Sequence, residues 1–571
     1  MSPLQRLAWP ATLAVSLGLA HPAVVGAQST RASPAQSAWS SAVRSAIEAR
    51  ISSGLGLDGT PLAAAETGQL RALYAGLSYG SLWTDEAGHP RLIAHEAIGL
   101  LSRAASDGLD PQDYHAERLG RLIAALEDSN RPTPSEAAAF EVTLTRMTAT
   151  YLRHLHSGRV DPEVVEFRMS VPPDHHDFAA LLSAAVQRDR LGEVVSELTP
   201  PLLLYRDLRA ALTHYRSLAA GVELDSLPAV PTSVKPGASY AGLRALHHQL
   251  VLLGDLPPGA PPPADGTPYE SGLVEGVKRF QGRHGLEQDG VIGEQTFTAL
   301  RVPLSWRVRQ IELSLERLRW VPHVDNGPGI LVNIPTFRLW AWDSLTAGDL
   351  PSFETGVIVG RALRTRTPVF DDELRYLILR PYWNVPPSIV KGEILPALAE
   401  RPDYLEREHM EIVSGPGDDA VPVPTTPDTI DRLRLGLLRL RQQPGPTNAL
   451  GLMKFVFPND EAVYLHDTPG RALFRRSRRD FSHGCVRVQD PVGLALFALG
   501  GDPAWTRETL DAAMHGPDSH RVDLDQPVQM ILFYLTAVVA PRERAIQFAD
   551  DIYGHDQGLD RALGATSRPV L

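Results

Sequence analysis

The chain has 571 residues, of which 43% are hydrophobic, and this length predicts several domains because one hydrophobic core rarely serves so long a chain. Its formal net charge of -12 at pH 7 leaves no broad basic field for phosphates and argues against a nucleic-acid-binding protein. The single cysteine excludes an internal disulfide.

The N-terminus has the pattern of an export signal. Arg6 precedes an apolar run over residues 7–20, and small residues at 25–27 match the requirement of a signal peptidase. The run is short and contains Pro10, which argues against a membrane-spanning helix. We therefore predict a signal peptide over residues 1–27 and a periplasmic mature protein. If the signal stays uncleaved, the chain would instead associate with the inner membrane.

A helical region follows the signal. Residues 28–39 are rich in Ser and Ala, and we predict a flexible segment there. Over residues 40–226 apolar side chains recur at helical spacing, for example over 137–155 and 203–218, which predicts a helical scaffold domain. The Pro-bearing stretch 227–231 has the composition of a linker.

A small module is predicted over residues 236–302. Its first two helices carry apolar residues at helical spacing, and a glycine-punctuated turn over 288–293 leads into a third helix over 294–300. The Asp-Gly, Ile-Gly and Thr-x-x-Ala-Leu elements of this stretch are similar to those of the three-helix peptidoglycan-binding module. An amphipathic connecting helix is predicted over residues 303–321.

The C-terminal half changes to short runs of β-branched and aromatic residues, which predicts a β-rich domain over residues 322–556. We expect an inserted helical subdomain over residues 388–443 and a flexible tail over residues 557–571. Four apolar residues at helical spacing favour a helix in the insert: Ile430, Leu433, Leu437 and Leu440.

The cysteine lies in the motif Ser-His-Gly-Cys-Val-Arg, residues 482–487. A free thiol is mostly protonated at neutral pH, so a nucleophilic role requires a base or a positive neighbour. His483 in the motif and His466 at the end of a predicted strand are both candidate bases for Cys485, and their spacing does not choose between them. Gly484 removes side-chain bulk beside the thiol, which favours the approach of a substrate carbonyl.

This motif, with a histidine upstream of its serine, is similar to the signature of the L,D-transpeptidase catalytic domain. The resemblance to the large periplasmic members of that family extends over nearly all of the mature chain. It is carried by further segments, at residues 359–361, 366–368, 381–389, 444–451, 454–459 and 464–469. It implies a multi-domain α+β protein with a helical scaffold domain, a peptidoglycan-binding module and a β-rich catalytic domain with an inserted helical lid.

The resemblance also implies a reaction. Cys485 would attack the carbonyl between the third and fourth residues of a tetrapeptide stem, release D-alanine and form a thioester. An amine of a neighbouring stem would then take the acyl group and give a 3-3 cross-link. By the same resemblance His466 is the general base, and His483 shapes the pocket and shares the proton.

Other residues near the thiol receive roles from the resemblance alone. Ser482 and Gly484 belong to the motif, and the backbone N–H of Cys485 is expected to contribute to an oxyanion hole. Arg487 is expected to contact a substrate carboxylate or to make a structural ion pair. Three residues are expected either to line the substrate groove or to pack in the core: Tyr464, Trp383 and Asn384.

The sequence leaves two other interpretations of the function open. A hydrolytic variant would act as an L,D-carboxypeptidase or would cleave cross-links, and a non-catalytic protein would serve as a wall-binding scaffold. We expect neither a cofactor nor a metal, because no Cys or carboxylate cluster completes a ligand set. The expected partners are peptidoglycan stem peptides and not nucleic acid, and the sequence identifies no protein partner.

Overall fold

A computed structural model describes residues 34–56, 59–128, 132–169, 176–221, 224–229, 232–321, 327–362, 365–417 and 419–566. The predicted signal peptide lies outside these ranges. Within them the chain is a multi-domain α+β protein, as the sequence predicts, with a helical N-terminal region, a three-helix module and a β-rich domain. No helix of the described ranges is both long and apolar enough to cross a bilayer.

The N-terminal helices pack around α5, whose first turn is fixed by a capping box between Thr133 and Glu136. The Glu141 carboxylate of this helix is fully buried and accepts the backbone N–H groups of residues 82–84, which ties the following loop to the helix. The helices are α1 (Pro34–Ser53), α2 (Ala64–Gly76), α3 (Leu92–Ser102), α4 (Ala116–Asp128), α5 (Pro134–Ser157), α6 (Phe178–Gln187) and α7 (Leu191–Leu198). Because α1 begins at Pro34, the prediction of a flexible segment is wrong for residues 34–39.

The next five helices are α8 (Leu203–Gly221), α9 (Leu243–Leu252), α10 (Ser271–Arg283), α11 (Glu294–Leu300) and α12 (Leu304–Leu318). Helices α9 to α11 form the small module, whose core contains Leu246, Leu250, Val277 and Phe280. Helix α12 connects this module to the β-rich domain, and its apolar side chains belong to the core of that domain.

The β-rich domain is built on a sheet that closes on itself. The strands of the domain are β1 (Phe167–Arg168), β2 (Gly329–Asn333), β3 (Arg338–Trp342), β4 (Phe353–Gly360), β5 (Val369–Leu379), β6 (Trp383–Asn384), β7 (Met410–Ser414), β8 (Val421–Val423), β9 (Arg439–Gln442), β10 (Met453–Val456), β11 (Leu465–His466), β12 (Asp480–Ser482), β13 (Val486–Val488), β14 (His520–Phe533), β15 (Ala537–Val539) and β16 (Ile546–Phe548). Strands β6–β9 form one small separate sheet, and β15 and β16 form another. The main order is β5-β10-β11-β13-β4-β3-β2-β14, and β14 pairs again with β5. Closure removes the open edges of these strands and leaves an apolar interior.

The boundary of the helical domain differs from the prediction of residue 226. Helix α8 packs against α12, and its residues Leu204, Leu208 and Leu212 belong to the core of the β-rich domain. Strand β1 lies within the helical region of the sequence, but it pairs in parallel with β5 of the β-rich domain. The helical domain with its own core therefore ends near Leu198, where the last of its buried apolar residues lies.

The inserted subdomain is mixed α/β, so the prediction of a helical insert over residues 388–443 is wrong. Its strands β7, β8 and β9 form the sheet β6-β9-β7-β8 with β6, which precedes residue 388, so the subdomain begins at Trp383. The predicted helix face is interrupted because α16 ends at Arg434 and Gly436 has φ +77, a conformation that breaks a helix. Leu440 therefore lies in β9. The helical segments of the insert are α13 (Pro387–Ile389), a π-helical turn (Val390–Ile394), α14 (Leu395–Glu400), α15 (Tyr404–Arg407) and α16 (Pro427–Arg434).

The C-terminal helices complete the domain. They are α17 (Pro491–Ala498), α18 (Arg507–His515) and α19 (His555–Thr566). In α19, Leu559 and Leu563 are buried, and the Asp556 carboxylate lies 2.6 Å from an Arg317 guanidinium nitrogen of α12. The predicted flexible tail is therefore wrong for residues 557–566, which dock on α12.

Candidate active site

The cysteine lies where two short parallel strands meet. Strands β11 and β13 pair with His466 opposite Arg487, and the pairing continues because the Val486 N–H donates to the Tyr464 carbonyl at 3.1 Å. Side chains alternate along strands, and Leu465 and Val486 point into the closed core. We call the opposite face of β10, β11 and β13 the site face, and it presents Tyr464, His466, Cys485 and Arg487.

The turn before the cysteine is held by its own serine. The buried Ser482 hydroxyl donates to the Cys485 carbonyl at 2.6 Å and accepts the Gly484 N–H at 3.2 Å. Gly484 has φ +118, which L side chains rarely adopt, so glycine is required here for its backbone conformation. The two motif residues therefore fix the direction of the backbone that carries the thiol.

A second layer beneath this turn was missed by the sequence analysis. The Thr367 hydroxyl donates to the Gly484 carbonyl at 2.7 Å and accepts the Gly360 N–H at 2.9 Å. The Tyr553 hydroxyl donates to the Gly360 carbonyl at 2.7 Å. A Cβ at Gly360 would lie 2.0 Å from the Thr365 carbonyl oxygen, so the chain passes too closely there for any other residue. Gly360 and Thr367 were singled out only as parts of a family pattern, and these contacts give that pattern a physical reason.

The polar neighbours of the thiol come chiefly from Tyr464. Its backbone N–H and its hydroxyl both favour the Cys485 thiolate, and the Ala462 carbonyl oxygen lies 3.9 Å from Sγ. Burial raises the pKa of the Cys485 thiol, while Tyr464 and the charges of Lys454 and Arg487 act in the opposite direction. Burial prevails, so the resting sulfur is protonated at neutral pH.

The His466 ring is buried and neutral. Burial, followed by the positive charge of Arg487, lowers the pKa of His466 to about 3, although backbone carbonyls of Asp467 and Leu450 favour the protonated ring. Its Nδ1 lies 2.5 Å from the Asp467 carbonyl oxygen, which only accepts. The ring therefore carries its proton on Nδ1, and Nε2 has the lone pair that a base requires.

The second candidate base has a different environment. His483 is exposed, and its Nε2 lies 2.8 Å from Oε1 of Glu393 in the π-helical turn of the insert. His466 shares the site face with the thiol, whereas His483 joins the motif to the insert. Which ring accepts the thiol proton stays a prediction, and the geometry favours His466.

The remaining predicted residues surround this centre. The Trp383 side chain interacts with the Tyr464 hydroxyl, so two of the three predicted groove residues adjoin each other next to the site. Asn384 is held within the insert by Arg439, with Nη1 3.5 Å from Oδ1. Arg487 has no ion-pair partner within the described ranges, and its Nε is buried without a hydrogen bond. Of the two roles expected for Arg487, this favours contact with a substrate carboxylate.

Comparisons with known proteins agree with this architecture. Residues 327–505 match the family model described as "L,D-transpeptidase catalytic domain", residues 239–300 match "Putative peptidoglycan binding domain" and residues 68–212 match "Scaffold domain". Residues 327–505 are thus similar to an L,D-transpeptidase catalytic domain, and residues 239–300, which precede them, are similar to a peptidoglycan-binding domain.

A "Putative L,D-transpeptidase" of Haemophilus influenzae is 35% identical over 256 residues, which cover 44% of this chain and 49% of that protein. The chain therefore spans about half the length of the curated relative that it matches. A solved L,D-transpeptidase of Xylanimonas cellulosilytica is 14% identical and covers 54% of this chain and 100% of its own, but its TM-score of 0.17 carries no argument. The family models and the curated relative confirm the resemblance that the motif indicated.

Proposed function

We propose that this protein is an L,D-transpeptidase that forms 3-3 cross-links in peptidoglycan through a thioester on Cys485. The observation that carries the proposal is the common face of β11 and β13, on which the lone thiol and the neutral His466 ring lie within a domain that matches the family model. The adjoining module would hold the chain on its polymeric substrate.

The first half-reaction begins from a neutral pair. Because the thiol pKa is raised and the His466 pKa is low, no preformed thiolate–imidazolium pair exists at pH 7, and the proton moves as the sulfur attacks. Cys485 Sγ forms a bond to the carbonyl carbon of the third stem residue, and its proton passes to His466 Nε2. The C–N bond to the fourth residue then breaks, and D-alanine leaves with that proton on its amine.

In the second half-reaction the Cys485 sulfur is the leaving group. An acceptor amine of a neighbouring stem attacks the thioester carbonyl, the C–S bond breaks, and one amine proton returns through His466 to the sulfur. The product is an amide between two third residues, which is a 3-3 cross-link. Burial, followed by the charge of Arg361, lowers the pKa of Arg487, and these two arginines supply a positive field for the carboxylates of the stem.

We also propose that the insert closes over the substrate as a lid. Two contacts link it to the site: Glu393 with the motif residue His483, and Trp383 with Tyr464. A lid would exclude water, which favours the amine over hydrolysis of the thioester. Hydrogen exchange in residues 388–443 should slow when a stem tetrapeptide is added, and an unchanged rate there would contradict a lid.

The test of the function uses the purified chain and disaccharide-tetrapeptide muropeptides. Cross-linked dimers with stoichiometric release of D-alanine are expected from the wild type and not from Cys485→Ala. Tripeptide monomers without dimers would instead identify the hydrolytic variant. Equal complementation of a deletion strain by wild type and Cys485→Ala would identify a non-catalytic scaffold.

Peptidoglycan, the proposed substrate, would be met outside the cytoplasm. We propose a periplasmic location, supported by Arg6, the apolar run over residues 7–20 and the small residues at 25–27, which have the pattern of an export signal. A fusion of residues 1–40 to a reporter that functions only after export should be active. An inactive reporter would contradict the location.

A further inference from the structure

Lys454 lies on the site face, and the sequence indicated it only as the first residue of the family-like segment 454–459, without a role. In the antiparallel pair of β10 and β11 it stands directly opposite His466. Its chain neighbours Met453 and Phe455 are buried in the closed core, so alternation directs Lys454 to the side of the thiol. A lysine here costs desolvation, which calls for an interaction that offsets it.

The ammonium group contacts an aromatic face. Lys454 Nζ lies 4.0 Å from the ring centroid of Tyr464, within the range of a cation–π interaction. The same ring meets the His466 ring edge-on, with centroids 5.8 Å apart. The Tyr464 hydroxyl in turn interacts with Cys485 and with Trp383. One tyrosine therefore carries the lysine over its face, meets the histidine ring at a steep angle and interacts with the thiol through its hydroxyl.

We propose that Lys454 is a positioning residue for the nucleophile: its ammonium group fixes the Tyr464 ring and thereby holds the phenol hydroxyl on the sulfur of Cys485. The consequence for catalysis rests on the proposed function, whereas the effect on the thiol does not. A hydrogen bond from the phenol hydroxyl to sulfur stabilises the thiolate that develops during attack. If the ring rotates, this hydrogen bond is lost.

Several charged groups near Cys485 influence how readily its thiol ionises. Lys454 from β10 and Arg487 from β13 favour the thiolate, and both also favour the neutral His466 ring of β11. Arg361 at the end of β4 acts on Arg487, and the pair of His483 and Glu393 lies on the insert side. Losing Lys454 therefore makes the thiol harder to ionise, both by withdrawing the tyrosine donor and by removing a positive charge.

The test measures the thiol without any peptide substrate. The full chain is alkylated with iodoacetamide from pH 6 to pH 10, and the rate is followed by intact mass to give the apparent pKa of Cys485. Lys454→Met is expected to raise that pKa, and each unit lowers the alkylation rate at pH 7 about tenfold. Lys454→Arg, which keeps a cation on the ring, should restore the wild-type value. Lys235→Met, which removes an exposed lysine of the module, should change nothing.

A double variant separates positioning from simple charge. Tyr464→Phe keeps the ring but removes the hydroxyl, and it should raise the thiol pKa by itself. If Lys454 acts through that hydroxyl, then Lys454→Met should have a much smaller effect in the Tyr464→Phe background than in the wild type. Equal effects in both backgrounds would overturn the positioning role, as would an unchanged thiol pKa in Lys454→Met.

Two controls keep the result interpretable. If Lys454→Met does not fold, as judged by circular dichroism, a wild-type thiol pKa in Tyr464→Phe still overturns the inference, because it shows that the hydroxyl does not act on the sulfur. Alkylation also separates this inference from the proposed function. A chain that makes no cross-links but shows the expected thiol shifts would overturn the function and support the role of Lys454.

Discussion

The Ser482 hydroxyl donates a 2.6 Å hydrogen bond to the carbonyl of Cys485, so the motif serine restrains the backbone of the nucleophile. Ser482→Ala leaves this carbonyl and the Gly484 N–H without that partner. We expect a loss of about 1–3 kcal/mol in the free energy of unfolding and a marked fall in the acylation rate. Thermal denaturation and single-turnover acylation measure the two effects. Ser477→Ala, in the preceding loop, should show neither effect, and a wild-type rate in Ser482→Ala would contradict a restraining role.

Gly484 is required for its backbone angle rather than for space. Its φ is +118, yet a Cβ there would meet only the Arg366 carbonyl oxygen at 3.7 Å. Gly484→Ala should therefore fold with a strain of about 1–2 kcal/mol or with a rotated turn, and its acylation rate should fall. Gly120→Ala lies in helix α4 with open space around the added methyl group and should be neutral or stabilising. Equal stability changes in the two variants would contradict this account.

The buried His466 ring links stability to pH. Its pKa falls from 6.5 in the unfolded chain to about 3 in the fold. The unfolded state therefore takes up a proton first, and this contribution to stability is complete above pH 6.5 and is lost as the pH falls towards 3. Relative to His466→Gln, the wild type should lose about 1.4 kcal/mol per pH unit over that range. Denaturant unfolding at several pH values measures the slopes.

The matched control for this experiment is His515→Gln, which removes an exposed histidine of helix α18. It should leave the slope of the wild type unchanged. Parallel slopes for wild type and His466→Gln would show that the His466 ring titrates normally, and they would remove the argument for a neutral base at rest.

The contact between Glu393 and His483 is the charged link between the insert and the motif. Glu393→Gln keeps the shape but removes the charge, and we expect faster hydrogen exchange in the π-helical turn, Val390–Ile394, without substrate. Glu400→Gln, on the exposed end of α14, should leave exchange unchanged. Identical exchange in the wild type and Glu393→Gln would show that the contact does not hold the insert.

The sequence predicts the centre of the site because its residues lie in short motifs. Cys485, Ser482 and Gly484 are neighbours in the chain, and His466 closes a strand whose pattern is recognisable. Whether that strand lies beside the motif depends on parallel pairing of β11 with β13, which no local pattern encodes. The geometric argument that favours His466 over His483 as the base therefore comes from the fold, and the choice itself stays a prediction.

The residues that were missed act over long sequence distances. Thr367 bonds to the cysteine turn, Tyr553 bonds to Gly360 beneath that turn, and Glu393 reaches the motif from the insert. Lys454 belonged to a family-like segment but received no role, because a lone lysine in a strand is ordinarily exposed and only the register with His466 gives it one. The prediction of a helical insert was wrong because Leu437 and Leu440 continue a helical spacing beyond Gly436, whose positive φ is incompatible with a continued helix.

The most direct test of the central claim is the intact mass of the chain after incubation with a carbapenem, which the resemblance to L,D-transpeptidases predicts will acylate the nucleophile. The wild type should gain the mass of one drug molecule, mapped by peptide analysis to Cys485, and Cys485→Ala should gain none. A wild-type chain that stays unmodified while folded, or an equal adduct on Cys485→Ala, would contradict the assignment of this thiol as the acyl-accepting group.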